Sequence, residues 1–315
     1  MNNLIRTKNK TIIINNKTYN LSLEYILGLF EGDGSITIQL KPNKSHKTGK
    51  QIILIFEIHQ HVIDVDLLKA ISVYLDCGKV EIGRKVGSPD TWVYRLRISS
   101  QNDIINIMLP ILQSQSMILK KRDHDMKLFI KACLMVKDKK HLDAQGQIII
   151  AELASNLSPK LTLEDKMNLE NTKTVLNNDR VLGITDAEGH FSFKIIPSKY
   201  NPENAGVNFN FLITQEKSEI KFLKDLVKFF DCGNVFTNDK GGAFYAVHNK
   251  YDLANKIVPF FKNNQLQTIK KYSFYKFEKA LYICINNKPL LSDHVRELNS
   301  ILLDTTGQRP IKNKA

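Results

Sequence analysis

Residues 26–34 read ILGLFEGDG and residues 181–189 read VLGITDAEG, so one nine-residue pattern occurs twice along the chain. Four further pairs of segments follow in the same order: IFEIHQ (55–60) with FLITQ (211–215), LDCGKV (75–80) with FDCGNV (230–235), ILKKR (118–122) with TIKKY (268–272), and FIKA (129–132) with FEKA (277–280). An ordered series of matches indicates duplication of one domain, whereas a single shared glycine motif would not.

The duplication predicts two versions of one domain within the 315 residues. We predict an N-terminal half over 1–136, a closing helix and linker over 137–177, and a C-terminal half over 178–315. In each half a helix precedes two strand patterns, a second helix, two more strand patterns and final helices, in the order αββαββα. Two such halves give an α+β fold with two four-stranded antiparallel sheets.

The composition narrows the partners and the compartment. The formal net charge is +13 and 43% of the residues are hydrophobic. The hydrophobic content excludes disorder over the whole chain, and the charge predicts a polyanion as partner, with nucleic acid ahead of a membrane surface.

We expect neither a signal peptide nor a transmembrane helix, because no run of ~18 apolar residues occurs. Four cysteines lie far apart without a CxxC pair, which predicts reduced, packed thiols: Cys77, Cys133, Cys232 and Cys284.

Each copy of the motif places an acid, Asp33 or Glu188, directly before the glycine that we expect to end a helix. Ser22 is the expected N-cap of the first of these helices. A carboxylate at a helix C-terminus meets the negative end of the helix dipole, and a divalent cation held by the carboxylate and nearby carbonyls would relieve the conflict. All-oxygen ligation suits Mg²⁺. The alternative to metal binding is that these acids are solvated or paired with lysine.

Small residues stand four positions apart on each motif helix: Gly28 and Gly32 on the first, Gly183 and Ala187 on the second. This spacing lets two helix backbones approach closely, so we predict that the motif helices pack together as the interface between the halves. Two positions before each terminal acid stands a further acid, Glu31 or Asp186, which we interpret as a polar partner in that interface.

Polar side chains alternate with apolar ones along the predicted strands, so that one face of each sheet is polar. These polar residues are Thr37, Gln39, Lys41, Arg95 and Arg97 in the first half, and Ser192, Lys194, Asn208 and Asn210 in the second. A solvated sheet surface would show the same alternation. Side chains of these types also contact base edges in the major groove, and with the net charge we interpret both faces as DNA-binding.

The paired motifs resemble those that name the LAGLIDADG homing endonucleases, in their single-chain form with two motifs encoded in group I introns. The resemblance covers about 20–290. It implies two pseudo-symmetric halves that meet at the motif helices, with curved sheets forming a saddle on DNA. It also implies a hairpin over 34–51 laid along the DNA. Further DNA contacts implied in this way are Asn43, Ser45, His46, Gln51, Glu57 and Arg84.

The resemblance also implies the site residues. Asp33 and Glu188 fall on the metal-binding position, and the carbonyls of Gly32 and Ala187 would complete the metal shell. Gln60 and Gln215 match the glutamine that organises water in the site. Lys120 and Lys270 match the basic residue near the scissile phosphates, although either lysine of each Lys-Lys pair could fill that place. His59, His61 and His190 are interpreted as polar neighbours or DNA contacts rather than bases.

The activity that the resemblance implies is cleavage of double-stranded DNA at a specific sequence by a monomer. Mg²⁺, with Mn²⁺ or Ca²⁺ as substitutes, would assist hydrolysis of one phosphodiester per strand, leaving short 3′ overhangs and promoting mobility of the host intron. The gene would then belong to a mitochondrion or another organelle. A splicing maturase that binds the host intron RNA is the main alternative. A DNA-binding regulator without catalysis is a third, which the retained acids disfavour.

Overall fold

A computed structural model describes residues 9–46, 48–197 and 205–304. The chain divides into two compact units, Met1–Arg180 (unit 1) and Val181–Ala315 (unit 2). The boundary falls inside the second motif helix, so the predicted linker 137–177 groups with unit 1.

Unit 1 contains a short hairpin, a four-stranded sheet and a set of helices. In chain order these are β1 (Lys10–Ile14), β2 (Lys17–Leu21), α1 (Leu23–Asp33), β3 (Gly34–Pro42), β4 (Lys50–His61), α2 (Val65–Leu75), β5 (Lys79–Arg84), β6 (Val93–Ile98), α3 (Gln101–Asp103), α4 (Leu109–Gln113), α5 (Lys120–Lys137), α6 (Ala144–Ser155) and α7 (Leu163–Met167). The larger sheet has the order β3-β4-β6-β5, and each neighbouring pair is antiparallel.

Unit 2 repeats this architecture. Its elements, from the helix that spans the boundary, are α8 (Asn178–Glu188), β7 (Gly189–Pro197), β8 (Ala205–Glu216), α9 (Ile220–Phe230), β9 (Asn234–Thr237), β10 (Gly242–Val247), α10 (Lys250–Asp252), α11 (Val258–Asn263), α12 (Lys270–Asn286) and α13 (Ser292–Leu303). Its antiparallel sheet has the equivalent order β7-β8-β10-β9. The predicted αββαββα order and α+β class are therefore confirmed.

In each unit helices cover one face of the sheet, and the apolar core lies between the two layers. In unit 1, α2 and α5 contact the sheet, and the predicted closing helix α6 packs on α5 and β3. In unit 2, α9 and α12 take these places, and α13 packs on α12 and β7. All four cysteines are buried free thiols, as predicted. None of the helices that the structure describes has the length and apolar character needed to cross a membrane.

The glycine that ends each motif helix is required by close packing rather than by a left-handed backbone. Gly34 has a φ of −94°. A Cβ atom there would lie 2.1 Å from the ring of Phe30 and 2.4 Å from its carbonyl oxygen. At Gly189 a Cβ would lie 2.5 Å from Cγ2 of Thr185. The strand can therefore leave the helix end in contact with its last turn only where the side chain is absent. The predicted cap at the other end of α1 is confirmed, since Ser22 Oγ accepts from the Tyr25 N–H at 3.1 Å.

The hairpin of β1 and β2 is a feature that the sequence analysis missed. Its turn consists of Asn15 and Asn16, which both have positive φ angles of 48° and 62°. Two asparagines between alternating apolar residues are a known signal for this two-residue turn, because asparagine tolerates the left-handed backbone that matches the strand twist. The sequence at 10–21 was therefore sufficient to predict this hairpin.

The strand registers show where the two units differ in length. Glu81 on β5 pairs with Arg95, and Phe236 on β9 pairs with Phe244 in the same way. Up to β5 and β9, equivalent residues of the two units are separated by a constant number of positions along the chain. After the turn that follows these strands, this separation is six residues shorter. A π-helical segment then recurs at the same place in both units, at Ile104–Met108 and at Leu253–Ile257.

Candidate active site

In unit 1 the predicted metal acid lies beside the predicted glutamine. Asp33 is the last residue of α1 and is half-buried. Gln60, on the neighbouring β4, is 3% exposed and donates from Nε2 to Oδ2 of Asp33 at 2.7 Å. The amide thereby holds the carboxylate in one orientation.

A cation contacts the carbonyls at this helix end. Arg122 on α5 donates from Nε to the carbonyl of Glu31 at 2.9 Å and from Nη2 to that of Gly32 at 3.3 Å. Its guanidinium carbon lies 5.7 Å from the ring centroid of Phe30. The last carbonyls of a helix carry the negative end of its dipole, so a cation here is stabilising.

Unit 2 builds the same helix end with different side chains. Glu188, the last residue of α8, is half-buried. Lys270 donates from Nζ to the carbonyl of Ala187 at 2.5 Å and to that of Thr185 at 3.1 Å. Gln215, the counterpart of Gln60, is 6% exposed, and its Nε2 has no hydrogen-bond partner within the part of the chain that the structure describes.

Lys120 and Lys270 do not occupy equivalent positions, which corrects the sequence analysis. Lys120 is 6% exposed, and its Nζ donates to the carbonyls of Met167 at 2.8 Å and Leu169 at 3.3 Å, both in the segment after α6. Arg122 instead has the position of Lys270. The buried faces of α5 and α12 give the same register, in which three pairs of core residues match: Met126 with Phe274, Phe129 with Phe277, and Ala132 with Ala280.

The error arose because the two Lys-Lys pairs align in the sequence, whereas the buried faces of α5 and α12 align in a different register. A one-residue shift turns a helix by about 100°, which moves a side chain to a different face. The buried periodicity of α5 would have identified Arg122, because apolar residues recur there at helical spacing after a polar first turn.

The second acid of each motif binds the segment that precedes the basic helix. Glu31 is 1% exposed and accepts from the backbone N–H groups of Ile118 at 2.9 Å and Leu119 at 2.6 Å through Oε2. Asp186 accepts from those of Gln267 at 2.8 Å and Thr268 at 3.2 Å. These acids therefore fix the start of α5 and α12 relative to the motif helix of their own unit.

Glu31 also binds a buried arginine, a feature that the sequence analysis missed. Arg180 is 1% exposed and donates from Nη1 to Oε1 of Glu31 at 2.9 Å. It also donates from Nε to Glu24 at 2.8 Å and from Nη2 to the carbonyl of Ser116 at 3.2 Å. Burial raises the pKa of Glu31 to about 7, while Arg180 and the two backbone N–H groups act in the opposite direction.

The histidines near these sites are held away from the charged form. Burial lowers the pKa of His59, and burial together with Lys270 lowers the pKa of His190. His61 accepts from the N–H of Ile63 at 3.4 Å and so caps a short 3₁₀ turn. These positions agree with their interpretation as polar neighbours.

The sheet face turned away from the helices in unit 1 carries most of the predicted DNA contacts. The strand pairing places Thr37, Gln39, Lys41, Gln51, Glu57, Arg95 and Arg97 on this one face. Arg84 ends β5 and is exposed. In the turn between β3 and β4, Asn43 Oδ1 accepts from the backbone N–H of Ser45 at 3.1 Å and from its hydroxyl at 2.7 Å, and His46 follows.

The corresponding face of unit 2 carries Ser192 opposite Asn210 and Lys194 opposite Asn208 on β7 and β8. Asn210 Oδ1 lies 2.7 Å from Nδ1 of His248, which follows β10. No group of three or more histidine, cysteine, aspartate or glutamate side chains that could hold a metal ion occurs among the described residues.

Two α+β repeats, each with a half-buried acid at the end of its motif helix and a polar sheet face, define a duplicated protein. The family model of the LAGLIDADG endonucleases matches residues 26–133 and 181–281. The chain belongs to the LAGLIDADG endonuclease family.

Curated relatives are intron-encoded proteins of fungi. The chain is 25% identical over 288 residues to "Probable intron-encoded endonuclease 3" of Neurospora crassa, covering 87% of this chain and 52% of the relative. It is 23% identical to "Probable intron-encoded DNA endonuclease 1" of Mycosarcoma maydis, over 81% of this chain and 97% of the relative. The chain thus spans about half the length of the first of these relatives.

Solved structures share the fold. I-SmaMI, bound to an uncleaved DNA target in the presence of calcium ions, superimposes with a TM-score of 0.79 at 22% identity, covering 89% of this chain and 97% of I-SmaMI. I-LtrWI, a LAGLIDADG homing endonuclease bound to target DNA, superimposes with a TM-score of 0.77 at 21% identity, covering 88% and 95% of the two chains.

Proposed function

We propose that this protein is a sequence-specific endonuclease that cuts both strands of a DNA duplex with the help of divalent cations. The observation that carries the proposal is the repeated half-buried acid at the end of each motif helix, next to a sheet with a polar outer face. The names of the relatives support the same activity, and their intron origin supports an intron as the source of the gene, which we propose lies in an organelle genome.

DNA binding is supported by charge and by the sheet faces. The net charge of +13 favours a polyanion, and its contribution to affinity falls steeply as salt increases because counterions are released from phosphates. The proposed contacts are the sheet residues already placed, with the turn between β3 and β4.

Divalent cations fit the residues at both helix ends. The donors there are carboxylate and carbonyl oxygens, which hard cations such as Mg²⁺ prefer. Arg122 and Lys270 bind these carbonyls, and this supports a site for positive charge at both helix ends. We propose that Asp33 and Glu188, with the carbonyls of Gly32 and Ala187, hold the metal.

The mechanism follows from what these side chains can do. A bound divalent cation would promote ionisation of a coordinated water and offset the negative charge of the phosphate. Gln60 keeps Asp33 in one rotamer, and the buried Nε2 of Gln215, which has no partner among the described residues, would donate to a water molecule. Arg122 and Lys270 would stabilise the extra negative charge that develops on the phosphate. Water attacks phosphorus and the bond to O3′ breaks, which leaves a 5′-phosphate and a 3′-hydroxyl with its proton taken from solvent.

The proposal is tested by cleavage of a duplex recovered from a randomised library. Purified full-length protein should cut the selected duplex on both strands when Mg²⁺ is added, and EDTA should abolish cutting. The overhangs are read by sequencing both ends. Absence of any enriched duplex, or cutting that persists in EDTA, would show the proposal to be wrong.

The basic residues are tested by three substitutions. Arg122→Ala and Lys270→Ala should each lower the single-turnover cleavage rate by about 100-fold, in line with the loss of one charge that stabilises a transition state. Lys120→Ala should lower the rate less and reduce stability more, because its ammonium is bound by carbonyls of its own unit. If Lys120→Ala lowered the cleavage rate more than Arg122→Ala, the catalytic role would have to be assigned to Lys120.

A further inference from the structure

A buried glutamate organises two arginines on the sheet face of unit 1. Glu57 on β4 has a side chain only 9% exposed. Arg97 Nη1 donates to its Oε1 at 2.6 Å, and Arg95 Nη1 lies 3.2 Å from the same oxygen. Arg95 also donates to Oε1 of Glu81, from Nε at 3.0 Å and from Nη2 at 2.7 Å. The strand pairing places all four residues side by side on the face away from the helices.

This network leaves the two arginines with different numbers of N–H donors available to bind DNA. Arg95 uses Nε, Nη1 and Nη2 on carboxylates of its own sheet. Arg97 donates through Nη1 alone among the described residues, and its side chain is 23% exposed, so Nε and Nη2 remain available. An arginine held in one rotamer loses less entropy on binding, and two parallel N–H donors match the O6 and N7 acceptors of guanine.

Unit 2 has an apolar set at the same four positions. The strand registers match Glu57 with Leu212, since Glu57 pairs with Arg97 as Leu212 pairs with Ala246. They also match Arg95 with Phe244 and Glu81 with Phe236. An acid and base network of four members is therefore replaced by Leu212, Phe244, Ala246 and Phe236, and no arginine stands in the described strands of unit 2.

The aromatic pair is accessible from solvent. Phe236 and Phe244 stack with ring centroids 5.4 Å apart, and Phe236 is 42% exposed. Thr214 on β8 lies opposite Phe244, and the ring of His248 lies 6.3 Å from that of Phe236 and contacts Asn210, with Asn208 further along the same face of β8. In a major groove, apolar side chains contact the C5-methyl group of thymine, and asparagine binds the N6 and N7 edge of adenine.

We propose that the two sheets recognise the two halves of the DNA target by different chemistry. Arg97, positioned by Glu57, binds a guanine in the half contacted by unit 1. Phe236 and Phe244 contact thymine methyl groups in a half contacted by unit 2 that is rich in A·T pairs. The inference rests on the proposed DNA binding and adds the base composition of each half.

The first test is a binding selection with full-length protein and Ca²⁺ in place of Mg²⁺, from duplexes randomised throughout the site. We expect a guanine at a defined position in one half and runs of A·T pairs in the other. Arg97→Ala should remove the guanine preference in its half and leave the other half unchanged. If no sequence is enriched, the proposed function fails as well; enriched sites with the same composition in both halves would overturn this inference alone.

The second test removes single groups from the DNA. Replacing the selected guanine by 7-deazaguanine should weaken binding by the wild-type protein about tenfold and should not weaken binding by Arg97→Ala further. Replacing thymine by deoxyuridine in the A·T-rich half should weaken the wild type several-fold. The double variant Phe236→Ser, Phe244→Ser should be insensitive to that replacement. An equal loss for wild type and variant, with either base analogue, would overturn the corresponding contact.

The Glu57→Gln variant tests whether Glu57 positions Arg97 or only stabilises the fold. Removing this negative charge should strengthen binding to a random duplex, because the net positive charge of the face increases. The same substitution should weaken discrimination for the guanine, because Arg97 loses its fixed orientation. A purely structural role for Glu57 would lower both affinities together, and circular dichroism of each variant shows whether it is folded.

Discussion

Asp33→Asn should abolish double-strand cleavage while the affinity for the selected duplex stays within a few-fold of wild type. The substitution keeps the shape of the side chain and its contact with Gln60, but it removes the negative charge that would hold the divalent cation. Metal assistance contributes several kcal/mol to stabilising the transition state, so the cleavage rate should fall at least 100-fold. The rate is measured in single turnover with Mg²⁺, and the affinity in Ca²⁺.

Glu188→Gln is the matched variant in unit 2 and should also abolish double-strand cleavage. Asp293→Asn is the control, because this acid lies on α13 and its side chain is 78% exposed. It should cut at the wild-type rate. Full double-strand cleavage by Asp33→Asn and by Glu188→Gln would refute the assignment of the two acids.

Glu31→Ala should destabilise unit 1 by about 3–5 kcal/mol, the range seen when one partner of a buried ion pair is removed. The change removes the buried carboxylate that binds Nη1 of Arg180, a side chain 1% exposed that keeps Glu24 and the Ser116 carbonyl as acceptors. It also leaves the N–H groups of Ile118 and Leu119 without an acceptor. Trp92 is the only tryptophan and lies in unit 1, so its fluorescence during urea unfolding follows this unit.

Asp186→Ala provides the comparison within the same chain. It removes the acceptor for the backbone N–H groups of Gln267 and Thr268 in unit 2. We expect a loss of about 1–3 kcal/mol, the range for buried hydrogen-bonding groups left unsatisfied. Far-ultraviolet circular dichroism follows both units. Equal losses for the two variants would show that Arg180 adds nothing to the role of Glu31.

The sequence predicted the repeated features of the fold and of the site. The αββαββα order and the N-cap Ser22 could be predicted because each depends on local pattern or on a motif present twice. The place of Gln60 beside Asp33 was implied by the family resemblance. The error over Lys120 has a geometric cause: the rotation of α5 is determined by its buried face and not by its first letters. Arg180 and the Glu57 network could not be predicted, because each joins residues that are distant in sequence and occurs in one unit.

The π-helical segments bear on the history of the gene. A π-helical turn accommodates an inserted residue in a helix and is less stable than regular helix, so its appearance twice at matched positions favours a single origin. A single origin would place the insertion before the duplication. The six-residue difference in the turn after β5 and β9 arose later, in one copy, as did the substitutions that separate Glu57 from Leu212. The ancestral single repeat therefore already had the scaffold, and the outer sheet faces are one of the places where the two copies have diverged since then.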